Sequence, residues 1–156
     1  MRCGGRRDVV KGRNCSSDAT NHVANDTNGS HDIFLRDIVL DTTERISTGP
    51  GGAQANDWSY EPTISLDGSA IVFYSSATNL VANDTNGLSD AFVRTRVAGV
   101  TTRVSVDSAG QQGNASIHWR PDLSSDGQYV AFTSYATNLV PSDTNNKRDV
   151  FVRRLW

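Results

Sequence analysis

Three loops of this sequence carry Asp and Asn side chains at a fixed spacing. The second loop reads DTNGLSD, with Asp84, Asn86 and Asp90 at its first, third and seventh positions. Carboxylate and amide oxygens at such intervals on a tight loop are ligands that a hard cation such as Ca²⁺ uses. One hypothesis is therefore a calcium site in each loop, formed by Asp26, Asn28, Asp32, Asp84, Asn86, Asp90, Asp143, Asn145 and Asp149.

The same loops have a second interpretation, in which the side chains cap their own backbone. The spacing resembles the calcium loops of integrin-type propellers, but Ala82 stands where that motif has its first acidic ligand, and Ala24 and Pro141 fill this position in the other copies. Asp and Asn side chains readily accept hydrogen bonds from nearby backbone N–H groups. The residues favour capped turns over calcium, and no other cofactor is predicted.

Aromatic residues in two further loops form a second kind of candidate site. Trp58 and Tyr60 lie in one loop, and His118 and Trp119 lie in the next. Such rings can stack on a sugar or contact a peptide. They can equally fill gaps between neighbouring sheets, which is the interpretation we favour. If the chain binds a ligand, the sequence predicts that it does so at these loops.

The sequence predicts a protein that is not an enzyme. No nucleophile or acid is repeated together with His22, His31 or His118. The sequence also contains no GxSxG, HExxH or phosphate-binding glycine loop. The carboxylates fall at repeated turns, so a glycosidase pair cannot be inferred. A formal charge of -2 with 37% hydrophobic residues indicates a soluble globular protein and argues against nucleic acid or an anionic membrane as partner.

An internal repeat of about 58 residues must position these side chains. Asp84 has its counterparts 58 positions earlier at Asp26 and 59 positions later at Asp143. A hairpin signal, Asp67-Gly68, separates the first two strands of the best-preserved copy. The segment AIVFY is apolar on both faces, so its sheet should be covered on both sides. The four predicted strands, a to d, are Pro62–Leu66, Ala70–Ser76, Asp90–Val97 and Thr101–Val106.

Four antiparallel strands in a repeated unit predict an all-β fold of β-propeller blades, about two and a half per chain. A β-sandwich is the alternative, but it does not require the loops to repeat with the strands. We expect an irregular leader over 1–16, because the segment 12–17, where the repeat would place strand b, lacks the apolar pattern of that strand. Within this leader, we expect two thiols at Cys3 and Cys15 rather than a disulfide. The predicted repeat region, 17–156, contains a partial blade over 17–48, a full blade over 61–106 and a partial blade over 120–156.

Two copies of a longer motif carry a family resemblance. The segments EPTISLDGSAIVFYS and RPDLSSDGQYVAFTS resemble the P-x-x-S-x-D-G-x-x-[IV]-x-F motif of the TolB-like, WD40-like PD40 propeller repeats, and SDAFVRT and RDVFVRR are similar to the next strand of that family. The resemblance covers 16–156 and implies a propeller of six blades. Its members are often periplasmic or secreted, but here no apolar segment follows the charged amino terminus, so localisation stays open.

The number of repeats predicts partners. Propellers close with about four to eight blades, and an open array exposes apolar faces and an unpaired strand edge. We predict that copies of the chain assemble head to tail, with a homotrimer of six blades ahead of a homodimer; the alternative is that the chain is a piece of a larger propeller. The predicted function is binding of a protein or small ligand. The alternatives are a carbohydrate-binding or glycoside-hydrolysing propeller and a calcium-stabilised structural repeat.

Overall fold

The computed structural model describes residues 2–4 and 12–156, with side chains from residue 14 onward. These residues form three antiparallel sheets, joined by loops and one short 3₁₀ turn at Pro50–Gly52. No helix among them is both long and apolar enough to cross a membrane. Sheet 1 contains β1 (Arg2–Gly4), β2 (Gly12–Ser17), β3 (Asp32–Asp37) and β4 (Thr42–Arg45). Sheet 2 contains β5 (Ser59–Ile64), β6 (Ala70–Ser75), β7 (Asp90–Thr95) and β8 (Val100–Arg103), and sheet 3 contains β9 (Ile117–Leu123), β10 (Tyr129–Ser134) and β11 (Asp149–Arg154).

Within each sheet, every strand pairs with the strand that precedes or follows it in the chain. The repeat fixes the register: Phe73 faces Phe92 between β6 and β7, and Phe132 faces Phe151 between β10 and β11. Each pair of rings is stacked, with centroids 6.0 and 5.6 Å apart. This up-and-down order is that of propeller blades, and the predicted all-β class is confirmed.

The central strand β6 is buried on both faces, as its apolar sequence requires. Ile71 and Phe73 point toward sheet 1 and belong to the apolar cluster between sheets 1 and 2. Ala70 and Val72 point the other way, into the cluster shared with sheet 3. None of these four side chains is more than 1% exposed. Sheet 2 is therefore packed between two neighbours, which gives the chain two intersheet cores.

Sheet 1 differs from the sequence expectation. The segment 12–17, expected to be largely irregular, forms β2 and pairs along its length with β3, from Gly12 opposite Asp37 to Ser17 opposite Asp32. Arg2–Gly4 adds a short edge strand. The strand forms because β3 offers it a complete hydrogen-bonding edge, although its polar sequence carries no apolar alternation. Sheet 1 thus has four strands, so the expected partial first blade needs correction.

The turn between β5 and β6 is held by Asp67. Its carboxylate accepts hydrogen bonds from the Ser65 hydroxyl at 2.7 Å and from the Ser69 backbone at 3.0 Å, while Gly68 takes a φ of 74°. The bond from Ser65 is the main reason that the pKa of Asp67 is lowered. Because the folded-state pKa lies below the unfolded one, ionised Asp67 stabilises the turn above its ordinary pKa, and this contribution is lost as the pH falls through the lowered value.

Candidate functional site

The loop between β6 and β7 is tied to the end of β8 by a network centred on Arg103. Its Nη1 atom lies 3.0 Å from Oδ1 of Asp84 and 3.1 Å from Oδ2 of Asp90. The Asn86 amide donates to the same Asp90 oxygen at 3.1 Å, and the Ser105 hydroxyl donates to the other at 2.5 Å. The side chains of Arg103, Asp84 and Asp90 are 9%, 2% and 1% exposed. The guanidinium therefore offsets part of the charge of the two carboxylates away from water.

The loop before β3 repeats this arrangement, and we call each instance a carboxylate corner. Arg45 lies 3.1 Å from Asp26 and 3.6 Å from Asp32. The Asn28 amide donates to Asp32 at 2.9 Å, and the Ser47 hydroxyl donates to its other oxygen at 2.5 Å. In both sheets, the arginine and serine come from the fourth strand or the residues just after it. A carboxylate corner therefore needs four strands to be complete.

The third carboxylate corner has the acids without the cation. Asn145 donates to the two oxygens of Asp149 at 3.3 and 3.1 Å, whereas its counterparts each donate to one oxygen of the equivalent aspartate. However, among the described strands β11 pairs only with β10, so none of them brings an arginine and a serine to this corner. Within residues 14–156, neither Asp143 nor Asp149 takes part in an ion pair.

Burial dominates the electrostatics of the two complete corners. Desolvation raises the pKa of Asp84, and the charge of Arg103 offsets part of that rise. Desolvation also raises the pKa of Asp32, against the hydrogen bond from Ser47. Because these folded-state pKa values lie above the unfolded ones, each acid adds stability as the pH falls through its raised pKa toward its ordinary one. The positive charge of the arginine stabilises the ionised carboxylates inside the protein.

This geometry supports the capping interpretation of the three loops. The side-chain oxygen of Asn28, Asn86 and Asn145 accepts a hydrogen bond from the backbone N–H two residues later, at 3.2, 3.0 and 2.6 Å. In the first two corners, a guanidinium lies where the hypothesis places calcium. No cluster of three His, Cys, Asp or Glu side chains suited to a metal ion occurs in the described part of the chain. Calcium binding stays a prediction and has no part in the function proposed below.

Two of the four predicted ligand-binding residues lie in an aromatic cluster, which consists of His31, Trp58, Tyr60 and Tyr74. Tyr60 is central, with ring centroids 5.0 Å from His31, 6.1 Å from Trp58 and 5.7 Å from Tyr74. Burial is the main cause of the raised pKa of Tyr60. Trp58 remains 53% exposed. The aromatic cluster thus consists of rings that pack around Tyr60, one of which, Trp58, is open to solvent.

The other two predicted residues lie on β9 and contact different partners. Trp119 is 71% exposed and lies beneath the guanidinium of Arg148, 5.6 Å from its ring centroid. His118 meets Tyr135 edge to face at 5.1 Å. Among the described residues, no ring contact joins His118 or Trp119 to the aromatic cluster. The structure therefore divides the predicted site into two groups.

The outer face of sheet 3 is apolar, and no other part of the chain that the structure describes covers it. Val150, Val152 and Tyr129 are 71%, 68% and 43% exposed. In sheet 2, the positions equivalent to the two valines are Ala91 and Val93, which are 0% and 2% exposed because sheet 3 covers them. We call the surface of Val150, Val152, Tyr129 and Ala131 the open face. The open face carries apolar residues at the positions that, in sheet 2, the neighbouring sheet 3 buries.

Sequence reasoning identified the acids of the corners but missed the residues that complete them. The signal was present, because Arg45 and Ser47 recur 58 positions later as Arg103 and Ser105. Their alternation with Ile46 and Val104 is also the ordinary pattern of a half-buried strand, which does not single them out. The open face had a signal too, since its valines occupy repeat positions that are filled by Ala91 and Val93.

Comparison with known proteins shows the fold. No protein-family profile and no curated protein sequence matches the chain. A solved structure described as a TolB from Agrobacterium tumefaciens matches with a TM-score of 0.53 at 19% identity, over 92% of this chain and 39% of that one. The β-propeller domain of the Trilobed protease from Pyrococcus furiosus, described as having an open velcro topology, gives a TM-score of 0.48 at 11% identity, over 97% of this chain and 42% of that domain.

The likeness to the TolB structure defines the fold. The chain is a β-propeller module with a TolB-like fold, as its repeat motif predicts. It spans about two fifths of the TolB structure that it matches, since it covers 39% of that chain. The narrower assignment to PD40 repeats stays a prediction.

Proposed function

We propose that this chain is a non-catalytic β-propeller module that binds protein, and that a second copy of the chain covers its open face in a head-to-tail ring. The observation that carries the proposal is the exposure of Val150 and Val152, at 71% and 68%, where sheet 2 buries Ala91 and Val93. Covering apolar surface of this kind contributes about 25 cal/mol for each Å² removed from water. A neighbouring blade is the structure that covers the same face elsewhere in this protein.

Backbone groups along the same boundary support a blade as partner. At each junction within the chain, the first residue of a sheet donates to the carbonyl of the residue just before the third strand of the preceding sheet: Ser59 to His31 at 2.8 Å and Ile117 to Ser89 at 2.9 Å. The carbonyl at the equivalent position of sheet 3 belongs to Arg148. It is available to the first strand of another blade. The open face therefore offers both an apolar surface and a hydrogen-bond acceptor in the positions used twice already.

The number of sheets revises the expected stoichiometry. Each chain supplies three sheets, because β1 and β2 complete sheet 1. The homotrimer expected from the sequence assumed about two and a half blades per chain, whereas the structure describes three sheets. Three copies would bring nine sheets, beyond the range of about four to eight in which propellers close, whereas two copies bring six. We therefore propose a homodimer.

Replacing Val152 by aspartate is expected to dissociate the dimer, because it places a charge at the centre of the covered face. Multi-angle light scattering of the purified chain should give a mass near 16.9 kDa for this variant. The matched control is Val97→Asp, since Val97 is 98% exposed in the turn between β7 and β8. If Val152→Asp and Val97→Asp have the same mass as the unmodified protein, the open face is not the interface.

Binding of a carbohydrate is a second candidate function, and the exposed ring of Trp58 above the packed Tyr60 favours it. A glycan array with the full chain should then identify a bound sugar, and Trp58→Ala should weaken its binding by at least about fivefold. Trp156→Ala is the matched control, because Trp156 is 56% exposed and lies outside the aromatic cluster. An array on which no glycan binds, or equal loss in the two variants, would remove this candidate.

A further inference from the structure

We infer that the aromatic cluster, together with the carboxylates of Asp18, Asp57 and Glu61 beside it, binds a quaternary ammonium group. Such a site goes beyond the assembly proposed above, because it lies between sheets 1 and 2 of a single chain. It is also an alternative to the carbohydrate site, which uses the same ring of Trp58. The two ligands differ in charge, so experiment can separate them.

The fold does not require aromatic rings at this junction, because the junction between sheets 2 and 3 is built without most of them. The equivalents there of His31, Trp58, Tyr60 and Tyr74 are Ser89, Ser116, His118 and Thr133. Three of the four rings are thus replaced by short polar side chains, although the backbone hydrogen bond between the two sheets forms at both junctions. Packing alone therefore does not explain the rings between sheets 1 and 2.

Three carboxylates are specific to the same junction. The backbone N–H of Trp58 donates to the carboxylate of Asp57 at 2.7 Å, and a carboxylate oxygen of Asp18 lies 4.0 Å from Nε2 of His31. Glu61 directly follows the central ring of the cluster in the chain. At the next junction the repeat places no charge at these positions, since the equivalents of Asp18, Asp57 and Glu61 are Ser76, Ala115 and Trp119.

The negative charges are close enough to act on the rings. Strand β5 is irregular after Tyr60, and Glu61 has a φ of 51°, in an irregularity of the kind that redirects side chains. Burial is the largest cause of the raised pKa of Tyr74, and the charge of Glu61 adds to it. For Tyr60, the charges of Asp57 and Asp18 add to burial in the same way. A cation at the cluster would therefore be attracted by these carboxylates as well as by the rings.

The geometry of the rings favours a compact cation over a flat sugar. The planes of Trp58 and Tyr60 meet at 78°, with centroids 6.1 Å apart. A sugar stacks on the face of one ring, whereas two planes near a right angle form two walls for a rounded group, and aromatic rings recognise quaternary ammonium ions by cation–π attraction. Among the described residues, guanidinium groups lie over Phe34 and Trp119 and over none of the rings of the cluster.

The test measures binding of a small cation to the full chain by isothermal titration calorimetry. Choline is the probe, and 3,3-dimethyl-1-butanol, in which carbon replaces the charged nitrogen, is its neutral counterpart. We expect choline to bind at least about tenfold more tightly than the neutral alcohol, because cation–π attraction and the carboxylates act on the charge. Equal binding of the two compounds would overturn the inference.

A second probe separates two sources of the ammonium group. A peptide that carries trimethyllysine presents the group on a protein, whereas choline presents it as a free molecule or a lipid headgroup. The same peptide with acetyllysine is the neutral control. Tighter binding of the trimethyllysine peptide than of choline would support the site with a protein as its partner, and the reverse order would support it with a small molecule or lipid. If neither choline nor the trimethyllysine peptide binds, the inference is wrong.

Variants of the protein give an independent test. Trp58→Ser copies Ser116 of the next junction, so the fold should accept it, and it should weaken binding of choline at least about tenfold. Asp57→Asn should weaken binding about threefold, since an exposed charge contributes little. Asp41→Asn removes a charge from the turn between β3 and β4 and should leave the affinity unchanged. Unchanged affinity in Trp58→Ser, or equal affinity in Asp57→Asn and Asp41→Asn, would contradict the ammonium site.

Failure of this site and failure of the proposed functions give different results. The mass of the protein, measured in the same samples, reports on the dimer, and a monomer that binds choline would refute the dimer alone. A dimer that binds neither choline nor the trimethyllysine peptide would refute the ammonium site alone. A sugar identified on the glycan array by a chain that binds neither cation would refute the ammonium site and support the carbohydrate candidate.

Discussion

Replacing Arg103 by glutamine is expected to lower the free energy of unfolding by about 3–5 kcal/mol, because it leaves two buried carboxylates without their cation. Asp84 and Asp90 are 2% and 1% exposed, so water cannot replace the lost guanidinium. Chemical denaturation of the full chain, followed by intrinsic tryptophan fluorescence, measures the change. Arg120→Gln is the control, because Arg120 is an exposed arginine on β9.

The pH dependence of the Arg103→Gln variant should identify the cause. Burial already raises the pKa of Asp84, and the loss of Arg103 removes the charge that lowers it. The folded variant then binds a proton more tightly than the unfolded chain, so its stability should recover as the pH falls through the raised pKa toward the ordinary pKa of an aspartate. Asp84→Asn combined with Arg103→Gln should also recover part of the loss at pH 7. A small loss in Arg103→Gln that is independent of pH would contradict the buried network.

Replacing Gly49 by alanine is expected to cost about 3 kcal/mol, the upper end of the usual cost of overpacking. A Cβ atom at Gly49 would lie 2.2 Å from the backbone oxygen of Asn79. The backbone at Gly49 has φ -88° and ψ -165°, which any residue can adopt, so space alone requires the glycine. The contact joins the loop after β4 to the loop after β6, and the substitution should therefore weaken the junction between sheets 1 and 2.

The matched control for Gly49 is Gly113→Ala. A Cβ atom at Gly113 would meet its nearest neighbours at 3.6 Å, an ordinary van der Waals distance. Ala55 occupies the equivalent position in the preceding repeat and is fully buried. We expect Gly113→Ala to change the free energy of unfolding by less than about 1 kcal/mol. The substitution raises stability to the extent that it reduces the flexibility of the unfolded chain. Equal melting temperatures for the two glycine variants would show that the close approach at Gly49 is absent.

The strands that could be predicted from sequence are those whose residues alternate or are buried on both faces. Ala70–Ser75 is an example, because a short apolar run between two turn signals is typical of a strand that is buried on both faces. The predicted start of strand a at Pro62 was less accurate, since β5 begins at Ser59. An irregularity between Tyr60 and Thr63, with Glu61 at a φ of 51°, carries the strand past Pro62. No local propensity indicates such a bulge.

The strand that sequence missed is stabilised by its neighbour. Asn14, Cys15 and Ser17 are buried in β2, but their side chains form no apolar stripe. What makes this segment a strand is the edge of β3. Pattern recognition evaluates a segment by its own residues, whereas pairing depends on what lies beside it. The difference matters for the proposed assembly, because a partial first blade favours the trimer and a four-stranded sheet 1 favours the dimer.

The candidate sites were predictable to the extent that they repeat. Spacing placed Asp84, Asn86 and Asp90 in one loop, and capping by Asn86 follows from its chemistry. Arg103 lies on a different strand, so its position between the carboxylates required the pairing of β7 with β8. Tyr74 joins Tyr60 for the same kind of reason, since the two face each other across β5 and β6. Contacts between strands depend on register, which the sequence of either strand alone does not contain.

The mass of the unmodified chain in solution tests the central claim most directly, because the open face of sheet 3 is proposed to bind a second copy. Multi-angle light scattering across a range of concentrations should give about 34 kDa, twice the 16.9 kDa of one chain, since two copies supply six sheets. A mass of 16.9 kDa at every concentration would contradict the account. It would mean that Val150 and Val152 stay in water, and the open face would not be an interface between copies of this chain.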